Sequence, residues 1–446
     1  MWLRIVFISL IILLNDYSNF KLVIASIVAT AGIMILLPPA DLNLFLLELL
    51  YYFTLSLFIQ YKVETKQQIR KMTQEQQANF AKARYIHQNS LPEELPARKD
   101  LAIAAFYEPA EELGGDYYNI FKVDHGAMDV FFEQYFFYMF DVSGHGLDSA
   151  LLANFINHTI ENYFKMKHTQ GEEVSPKQIL EYIDQQYRAE NYPDDYMICI
   201  LAGVFNLKNY NFTYSSAGFQ FPFYKVTNKG TAEEINTGGL PISSSVDKSL
   251  IELYNTTIDF KKDEMLFFNT DGLLEQTNIS GNYTNQLQDK LTTTDYFHPA
   301  AVVQDIKEDF VNFNDSQSET DDITFLTIAR LAGDLKEWKI KRKDHNFKQQ
   351  QKEIIKHLTT STVEEHQISS AFYKLSTLIW PSTTELKVII LTTSDYLMIS
   401  LSGHKTKDNW QQLSSTQLET TDLKNNSKTF FCRQHGSKIY LFTSLD

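Results

Sequence analysis

The sequence predicts an α+β protein of 446 residues with a helical N-terminal segment, a central mixed domain and a small C-terminal α+β domain. Three observations support this prediction. Apolar stretches dominate the first 60 residues, and a polar segment without Gly or Pro follows them. Beyond that, short strand-like runs alternate with amphipathic helical segments. We expect four units, at residues 1–60, 61–91, 92–333 and 334–446.

The overall composition is acidic. The formal net charge is −15, and 44% of the residues are hydrophobic, which is ample for a globular core. A nucleic-acid surface is excluded, because binding to the phosphate backbone needs a basic stripe. The two cysteines, Cys199 and Cys432, are far apart in the chain and are expected to be reduced thiols. They are too few for a thiolate metal site.

The N-terminal apolar stretches are Ile5–Leu14, Leu22–Leu37 and Leu44–Gln60. A membrane-spanning helix needs about 17 to 20 apolar residues, and the second and third stretches approach that length. The prolines of Pro38–Asp41 predict a turn between them, so we expect a transmembrane hairpin. The first stretch could be a third span, a surface helix or a signal-like segment. The alternative for the hairpin is a buried pair of soluble helices.

The charges that follow the last apolar stretch predict the topology. Lys62, Lys66, Arg70 and Lys71 come directly after it, and the turn at 38–43 carries no Lys or Arg. The positive-inside rule then places the chain after residue 60 in the cytoplasm. We therefore expect a multi-pass protein of the cell membrane with a cytoplasmic catalytic domain.

The polar segment Tyr61–Asn89 is expected to form one linker helix, since it is rich in Gln, Lys, Glu and Ala. A 3-4 spacing along it resembles the a/d stripe of a short coiled coil. The stripe consists of Ile69, Met72, Gln76, Asn79, Ala83, Ile86 and Ser90. Because half of it is polar, we expect a weak coil that forms a homodimer. A solvated spacer helix is the alternative.

Four acidic motifs follow, each where a strand-like run ends or a turn begins. They are Gly114–Tyr118, Asp141–Gly146, Asp271-Gly272 and Asp321-Asp322. An Asp beside Gly at a strand end lets carboxylates and backbone carbonyls converge on one point. Several carboxylates without His or Cys partners form a hard oxygen site, which selects Mg²⁺ or Mn²⁺ over Zn²⁺. A single Asp-Gly indicates only a turn, whereas four motifs in this order are far more specific.

These motifs, in this order, resemble the bacterial SpoIIE/RsbU branch of the protein phosphatase 2C superfamily. The approach segment Ala83–Pro92 and the middle motifs Met197–Cys199 and Ser216–Gly218 are similar as well. The resemblance covers about residues 83–331. It implies a four-layer α-β-β-α sandwich with two Mn²⁺ or Mg²⁺ ions at one end. It also implies hydrolysis of phosphoserine or phosphothreonine.

The resemblance also implies the role of each acidic residue. Asp141 would bridge both ions, and the Val142 carbonyl would bind one of them. Asp271 and Asp321 would complete the shell of the other ion. Asp116 would bind directly or through water, and Asp322 would support the ligands from behind. Asp141 and Asp116 are thus the expected catalytic carboxylates.

Two further positions bear on catalysis. His145 could donate a proton to the leaving group, or it could simply pack the turn. Relatives usually have Ala-Gly-His where this chain has Ala217, Gly218 and Phe219. The missing histidine is not a metal ligand in the family pattern. Activity is therefore expected, with altered local support of the site.

Two amphipathic helices, Leu147–Lys165 and Pro176–Arg188, are expected beside the site. In the resembling branch such helices border the metals and can switch activity; the alternative is ordinary cover of the sandwich. The implied substrate is a small antagonist of an anti-sigma factor, in a stress or developmental response.

The C-terminal segment is expected to begin with a linker or solvated helix, Lys336–Lys352. A helix at Glu364–Trp380 and four strands would follow. The strands are expected at Leu386–Leu391, Tyr396–Leu401, Thr429–Arg433 and Lys438–Phe442. The motifs of a kinase-like ATP-binding domain are missing, so we expect a protein-binding or packing module.

Two other functions compete with the phosphatase. A diguanylate cyclase is suggested by Gly114–Tyr118, but that family needs Glu after the Asp, and the later acidic motifs would have no role. A pseudophosphatase that only binds a partner is mildly favoured by Phe219. The intact acidic positions argue against it.

Overall fold

A computed structural model of the chain describes most of the protein after residue 41. The described residues are 42–92, 95–96, 98, 101–111, 113–125, 133–144, 146–168, 174–190, 192–278, 281–294, 297–314, 321–331, 333–341, 354, 383–392, 396–405, 427–434 and 436–444. The predicted apolar stretches Ile5–Leu14 and Leu22–Leu37 lie outside them. Contacts divide the chain into two compact units, Met1–Lys82 and Ala83–Asp446.

The first described element is helix α1, Leu42–Ser90, of 49 residues. It contains the predicted linker helix, as expected for a segment without Gly or Pro, and also the apolar stretch Leu44–Gln60. Over the residues described, no helix combines the length and apolarity that crossing a membrane requires. Two residues of the predicted coiled-coil stripe are open to solvent, with Ile69 58% and Met72 57% exposed.

The central domain contains two five-stranded antiparallel sheets. The first has the order β1-β12-β9-β6-β7 and the second the order β2-β3-β4-β5-β8. The strands of the first sheet are β1 Leu101–Glu108, β6 Phe223–Thr227, β7 Thr231–Ile235, β9 Glu264–Asn269 and β12 Ile323–Arg330. Those of the second are β2 Tyr117–Lys122, β3 Gln134–Val142, β4 Ile198–Asn206, β5 Asn211–Ala217 and β8 Thr256–Asp259. A small hairpin, β10 Thr277–Asn278 and β11 Gly281–Asn282, stands apart from both.

Aromatic rings fill the space between the two sheets. Phe268 of β9 lies 4.4 Å, between ring centroids, from Phe137 of β3. It also contacts Phe212 of β5 and Phe223 of β6. All four side chains are fully buried. The alternation of strand-like runs in the sequence therefore produces two sheets that bury their facing sides against each other.

Helices cover the outer faces. α2 Leu147–His168 and α3 Pro176–Ala189 lie on the second sheet, and α6 Pro299–Asn314 lies on the first. Two short helices, α4 Asp271–Glu275 and α5 Thr284–Thr292, complete the domain. The buried side of α3 includes Ile179, Leu180 and Ile183, at helical spacing. The predicted α+β sandwich and its two amphipathic helices are confirmed.

The C-terminal segment forms a third five-stranded antiparallel sheet, in the order β13-β14-β15-β17-β16. Its strands are β13 Asp334–Lys341, β14 Thr383–Thr392, β15 Tyr396–Lys405, β16 Ser427–Gln434 and β17 Gly436–Ser444. All four predicted strands lie within β14 to β17. The predicted helix Glu364–Trp380 lies outside the described residues.

The prediction of a linker or solvated helix from Lys336 is wrong at its start, because residues 336–341 belong to β13. Its Lys-rich composition disfavours a buried strand, but pairing overrides this tendency. Trp338 pairs with Val388 and Ile340 with Leu386, which places these two apolar residues at alternating positions along β13.

The C-terminal sheet packs on the central domain. Leu391 and Met398 belong to the same buried cluster as Phe310 of α6 and Phe325 of β12. The contacts accordingly place both regions in one compact unit. The four predicted unit boundaries stay predictions.

Candidate metal centre

The four acidic motifs lie at one end of the sandwich because of how the strands pair. The start of β2 pairs with the end of β3, so that Tyr117 lies opposite Phe140. In the other sheet the start of β12 pairs with the end of β9, with Phe325 opposite Asn269. Each sheet therefore contributes two of the motifs to the same end of the domain.

Asp116 is buried in the loop before β2, with 1% of its surface exposed. Its Oδ2 accepts hydrogen bonds from the hydroxyls of Thr270, at 2.7 Å, and Thr324, at 2.5 Å. Burial raises the pKa of its carboxyl, and the carboxylates of Asp141 and Asp322 raise it further. Sequence reasoning missed both threonines, although Thr270 directly precedes Asp271 and Thr324 comes two residues after Asp322.

Asp141 lies near the end of β3 and is partly exposed. Burial raises the pKa of its carboxyl, and repulsion from the carboxylates of Asp271 and Asp321 raises it further. Asp271 is the first residue of α4, and its pKa rises from 3.8 to about 6 through burial and then through Asp321 and Glu275. These shifts indicate that the carboxylates lie close enough to repel one another.

Asp322 holds the loop that carries Asp116. Its Oδ2 accepts from the backbone N–H of Gly115 at 2.6 Å, and its Oδ1 accepts from that of Ala110 at 2.9 Å. Burial raises the pKa of this carboxyl, whereas these N–H groups lower it. This geometry agrees with the supporting role expected for Asp322.

The glycines of the motifs permit close approach. A Cβ at Gly115 would lie 2.5 Å from the carbonyl oxygen of Val142, and one at Gly272 would lie 2.0 Å from the carbonyl oxygen of Asp322. Any larger residue would push these backbones apart. The Val142 carbonyl is therefore next to the Asp116 loop, as its predicted role requires.

A cleft of about 200 Å³ opens beside the aspartates. Asp141, Asp271 and Glu275 line it, and Phe219 and Phe221 are also among its lining residues. Cys199, which lies opposite Asp141 in the β3–β4 register, faces it too. Cys199 and Glu275 were not among the predicted site residues, and His145 lies outside the described residues.

Comparison with known proteins relates this arrangement to a protein family. Residues 133–331 match the sequence model described as stage II sporulation protein E (SpoIIE). The chain carries a SpoIIE-type domain. The predicted resemblance to the SpoIIE/RsbU branch is confirmed, as is the enzyme class, a serine/threonine phosphatase of protein phosphatase 2C type.

Two curated relatives match more than half of the chain. The chain is 24% identical over 265 residues to the phosphoserine phosphatase RsbU of Bacillus subtilis, covering 59% of this chain and 73% of RsbU. It is 25% identical over 277 residues to the phosphoserine phosphatase RsbP of the same organism, covering 60% of this chain and 59% of RsbP. A solved SiaA-PP2C domain of Pseudomonas aeruginosa aligns with a TM-score of 0.47 and 16% identity, covering 58% of this chain and 98% of that domain.

The carboxylates at this end of the sandwich fit a hard divalent cation. Within the described part of the chain, no group of three or more His, Cys, Asp or Glu side chains has the geometry of a formed metal site. The donors nevertheless are oxygens, and burial, followed by repulsion between neighbouring carboxylates, raises their pKa values. Among the ion pairs of the described residues, none includes Asp116, Asp141 or Asp271. A cation such as Mn²⁺ or Mg²⁺, which enzymes of this type use, would supply the missing charge.

Removing the Asp322 carboxylate should destabilise the loop that carries Asp116. In Asp322→Ala, the N–H groups of Gly115 and Ala110 lose a charged acceptor in a buried position. We expect the free energy of unfolding to fall by about 2–4 kcal/mol, with a weaker Mn²⁺ dependence of turnover. Urea denaturation and Mn²⁺ titration measure the two effects.

Asp247→Ala is the matched control for that variant. The Asp247 carboxylate also accepts a backbone N–H, from Ser249 at 2.9 Å, but on an exposed turn away from the cleft. It should cost less stability and leave the Mn²⁺ dependence unchanged. If Asp322→Ala had the Mn²⁺ dependence of the wild type, the supporting role would be wrong.

Proposed function

We propose that this chain removes phosphate from phosphoserine or phosphothreonine on a small regulatory protein, of the kind that antagonises an anti-sigma factor. The observation that carries the proposal is the convergence of Asp116, Asp141 and Asp271 at one end of the sandwich. Similarity to RsbU and RsbP supports the phosphoserine substrate. The target would place the enzyme in the control of a stress or developmental response.

In the proposed reaction, Asp141, Asp271, Asp321 and the Val142 carbonyl hold the cations, with Asp116 beside them. When bound, such ions supply an ionised water and neutralise charge on the phosphoryl group. The protein fixes the donors in advance: two threonine hydroxyls hold Asp116, and Asp322 holds the loop before it. The cleft beside these residues leaves room for the substrate. His145 remains a proposed proton donor to the leaving oxygen.

A pseudophosphatase that binds a partner without hydrolysing it is the second candidate. The observation that favours it is Phe219, which is 4% exposed in the wall of the cleft where relatives usually have His. The two functions are separated by incubating the full chain and Mn²⁺ with phosphoserine proteins of the host. Phosphate release that EDTA prevents supports the phosphatase, whereas tight binding without release supports the pseudophosphatase.

We also propose that the linker helix forms a homodimer through its stripe. Ile69 and Met72 are exposed within the first compact unit, as an unpaired a/d seam requires. Replacing Gln76 and Asn79 with Leu should strengthen the seam, because apolar a/d residues stabilise coiled coils. We expect the double variant to dimerise at a concentration at least about tenfold lower, and its turnover to rise.

Light scattering and turnover at matched concentration test this expectation. The control replaces Gln74 and Gln77, which are exposed and lie off the stripe at the same spacing of three residues, with Leu. If the stripe variant dimerises without any change in turnover, the seam does not control activity. A fall in turnover would mean that the seam controls activity, but that the dimer is the less active form.

A membrane location is proposed from the sequence alone, on the apolar stretches before residue 60 and the basic residues that follow them. The full chain should then sediment with membranes and resist extraction by carbonate. Recovery in the carbonate supernatant would contradict this location.

A further inference from the structure

Two phenylalanines, Phe219 and Phe221, line the cleft, with the exposed Gln220 between them. Phe219 is almost fully buried, and Phe221 is half-buried; each packs on a buried hydrophobic cluster. The Thr237 hydroxyl lies 2.5 Å from the Phe219 carbonyl oxygen and 3.0 Å from that of Phe221. The Thr237 side chain therefore restrains both backbone carbonyls.

The turn that leads into Phe219 is also fixed. Gly218 has a φ of +68°, which favours glycine, and a Cβ there would lie 2.7 Å from the Cα of Pro241. The backbone that leads into Phe219 is therefore restricted to this conformation. The two phenylalanines do not need to rearrange in order to line the cleft.

The cleft is larger than the phosphoryl group requires. Its volume is about 200 Å³, whereas one water occupies about 30 Å³ in the liquid. A phosphoryl group with three terminal oxygens fills only part of that space. Glu275, which is not one of the proposed cation ligands, is among the lining residues, so a further acidic side chain would be repelled there.

We propose that Phe219 and Phe221 form a substrate subsite that takes an apolar side chain directly beside the phosphorylated residue. This inference rests on the proposed phosphatase function and deepens it. The preferred substrate class is phosphoserine or phosphothreonine with an aliphatic or aromatic neighbour. Burying such a side chain against two rings favours it over a neighbour that has none.

The test uses the full chain, saturating Mn²⁺ and four phosphoserine peptides that differ only in the residues flanking phosphoserine: Leu, Gly, Asp or Lys. We expect kcat/KM for the Leu peptide to exceed that for the Gly peptide by about tenfold and that for the Asp peptide by more. The gain should appear mainly as a lower KM, since the neighbour takes no part in bond breaking.

Phe219→His and Phe221→Ala should each reduce the Leu/Gly ratio of kcat/KM by about threefold or more. Phe219→His keeps an aromatic side chain, of the kind usual in relatives. Phe221→Ala changes a position that is only half-buried. The test therefore still works if one of the two variants does not fold. Phe121→Ala is the matched control, because Phe121 is partly buried near the opposite end of β2 from Asp116. Its ratio should equal that of the wild type.

The possible outcomes separate the two proposals. Equal kcat/KM for the Leu, Gly and Asp peptides overturns the subsite and leaves the phosphatase intact. A preference for Lys overturns it as well, because the acidic lining residues then select the neighbour. Mn²⁺-dependent release from none of the peptides contradicts the phosphatase function itself.

Discussion

Replacing Asp141 with Asn is expected to lower turnover by about a thousandfold or more, on the order of 4 kcal/mol of barrier. Asp141 lies near the end of β3 among Asp116, Asp271 and Asp321, and its proposed role is to bind the divalent cations. An amide is a neutral and weaker ligand, so cation binding would be weakened. Phosphate release at saturating Mn²⁺ measures the effect.

The same variant should make the metal-free protein more stable near neutral pH. The raised pKa of Asp141 shows that its charge is unfavourable in the fold, and Asn removes that charge at nearly constant shape. Asp184→Asn is the matched control, because Asp184 is a buried carboxylate paired with Arg188 at 2.7 Å. It should lose stability and keep its activity. Turnover of Asp141→Asn within about tenfold of the wild type would contradict the assignment of this residue.

The stability of the metal-free protein should depend on pH through the same carboxylates. The pKa of Asp271 is raised from 3.8 to about 6 in the fold. Between these values the folded state holds more protons than the unfolded state, so its contribution to stability falls as pH rises. The loss is complete above about pH 6 and amounts to at most about 3 kcal/mol, since one unit of pKa is about 1.4 kcal/mol.

Chemical denaturation in EDTA measures this effect as the difference between Asp271→Asn and the wild type. The variant should gain relative stability from pH 4 to 7, because it lacks the unfavourable charge. Adding Mn²⁺ should reverse the order at pH 7, since only the wild type has the full set of charged donors. A pH-independent difference would show that the pKa of Asp271 is not raised. Equal stabilisation of both proteins by Mn²⁺ would show that Asp271 is not a ligand.

The sequence predicts much of the central domain because its signals are local. Asp141 and Asp271 follow apolar strand-like runs, and the structure places Asp141 near the end of β3 and Asp271 two residues after the end of β9. The apolar spacing of Pro176–Arg188 predicts a helix that the structure confirms. The assigned ligand roles came from resemblance to a family, not from spacing.

Other features depend on partners that are distant in the sequence. Thr270 and Thr324 reach Asp116 from 154 and 208 residues away, so no local pattern indicates these hydrogen bonds. The strand Asp334–Lys341 has a Lys-rich composition, and its pairing with β14 across about 50 residues decides its conformation. The role of the first 60 residues and of His145 stays a prediction.

The central claim is that this carboxylate cluster binds divalent cations that activate hydrolysis of phosphoserine. The most direct measurement is release of inorganic phosphate from a phosphoserine protein by the full chain, as Mn²⁺ is titrated with and without Asp141→Asn. We expect saturable activation by Mn²⁺, loss of activity in EDTA, restoration by Mg²⁺ or Mn²⁺ in preference to Zn²⁺, and near-complete loss in the variant. Hydrolysis that persists in EDTA, or that Asp141→Asn leaves unchanged, would contradict the account.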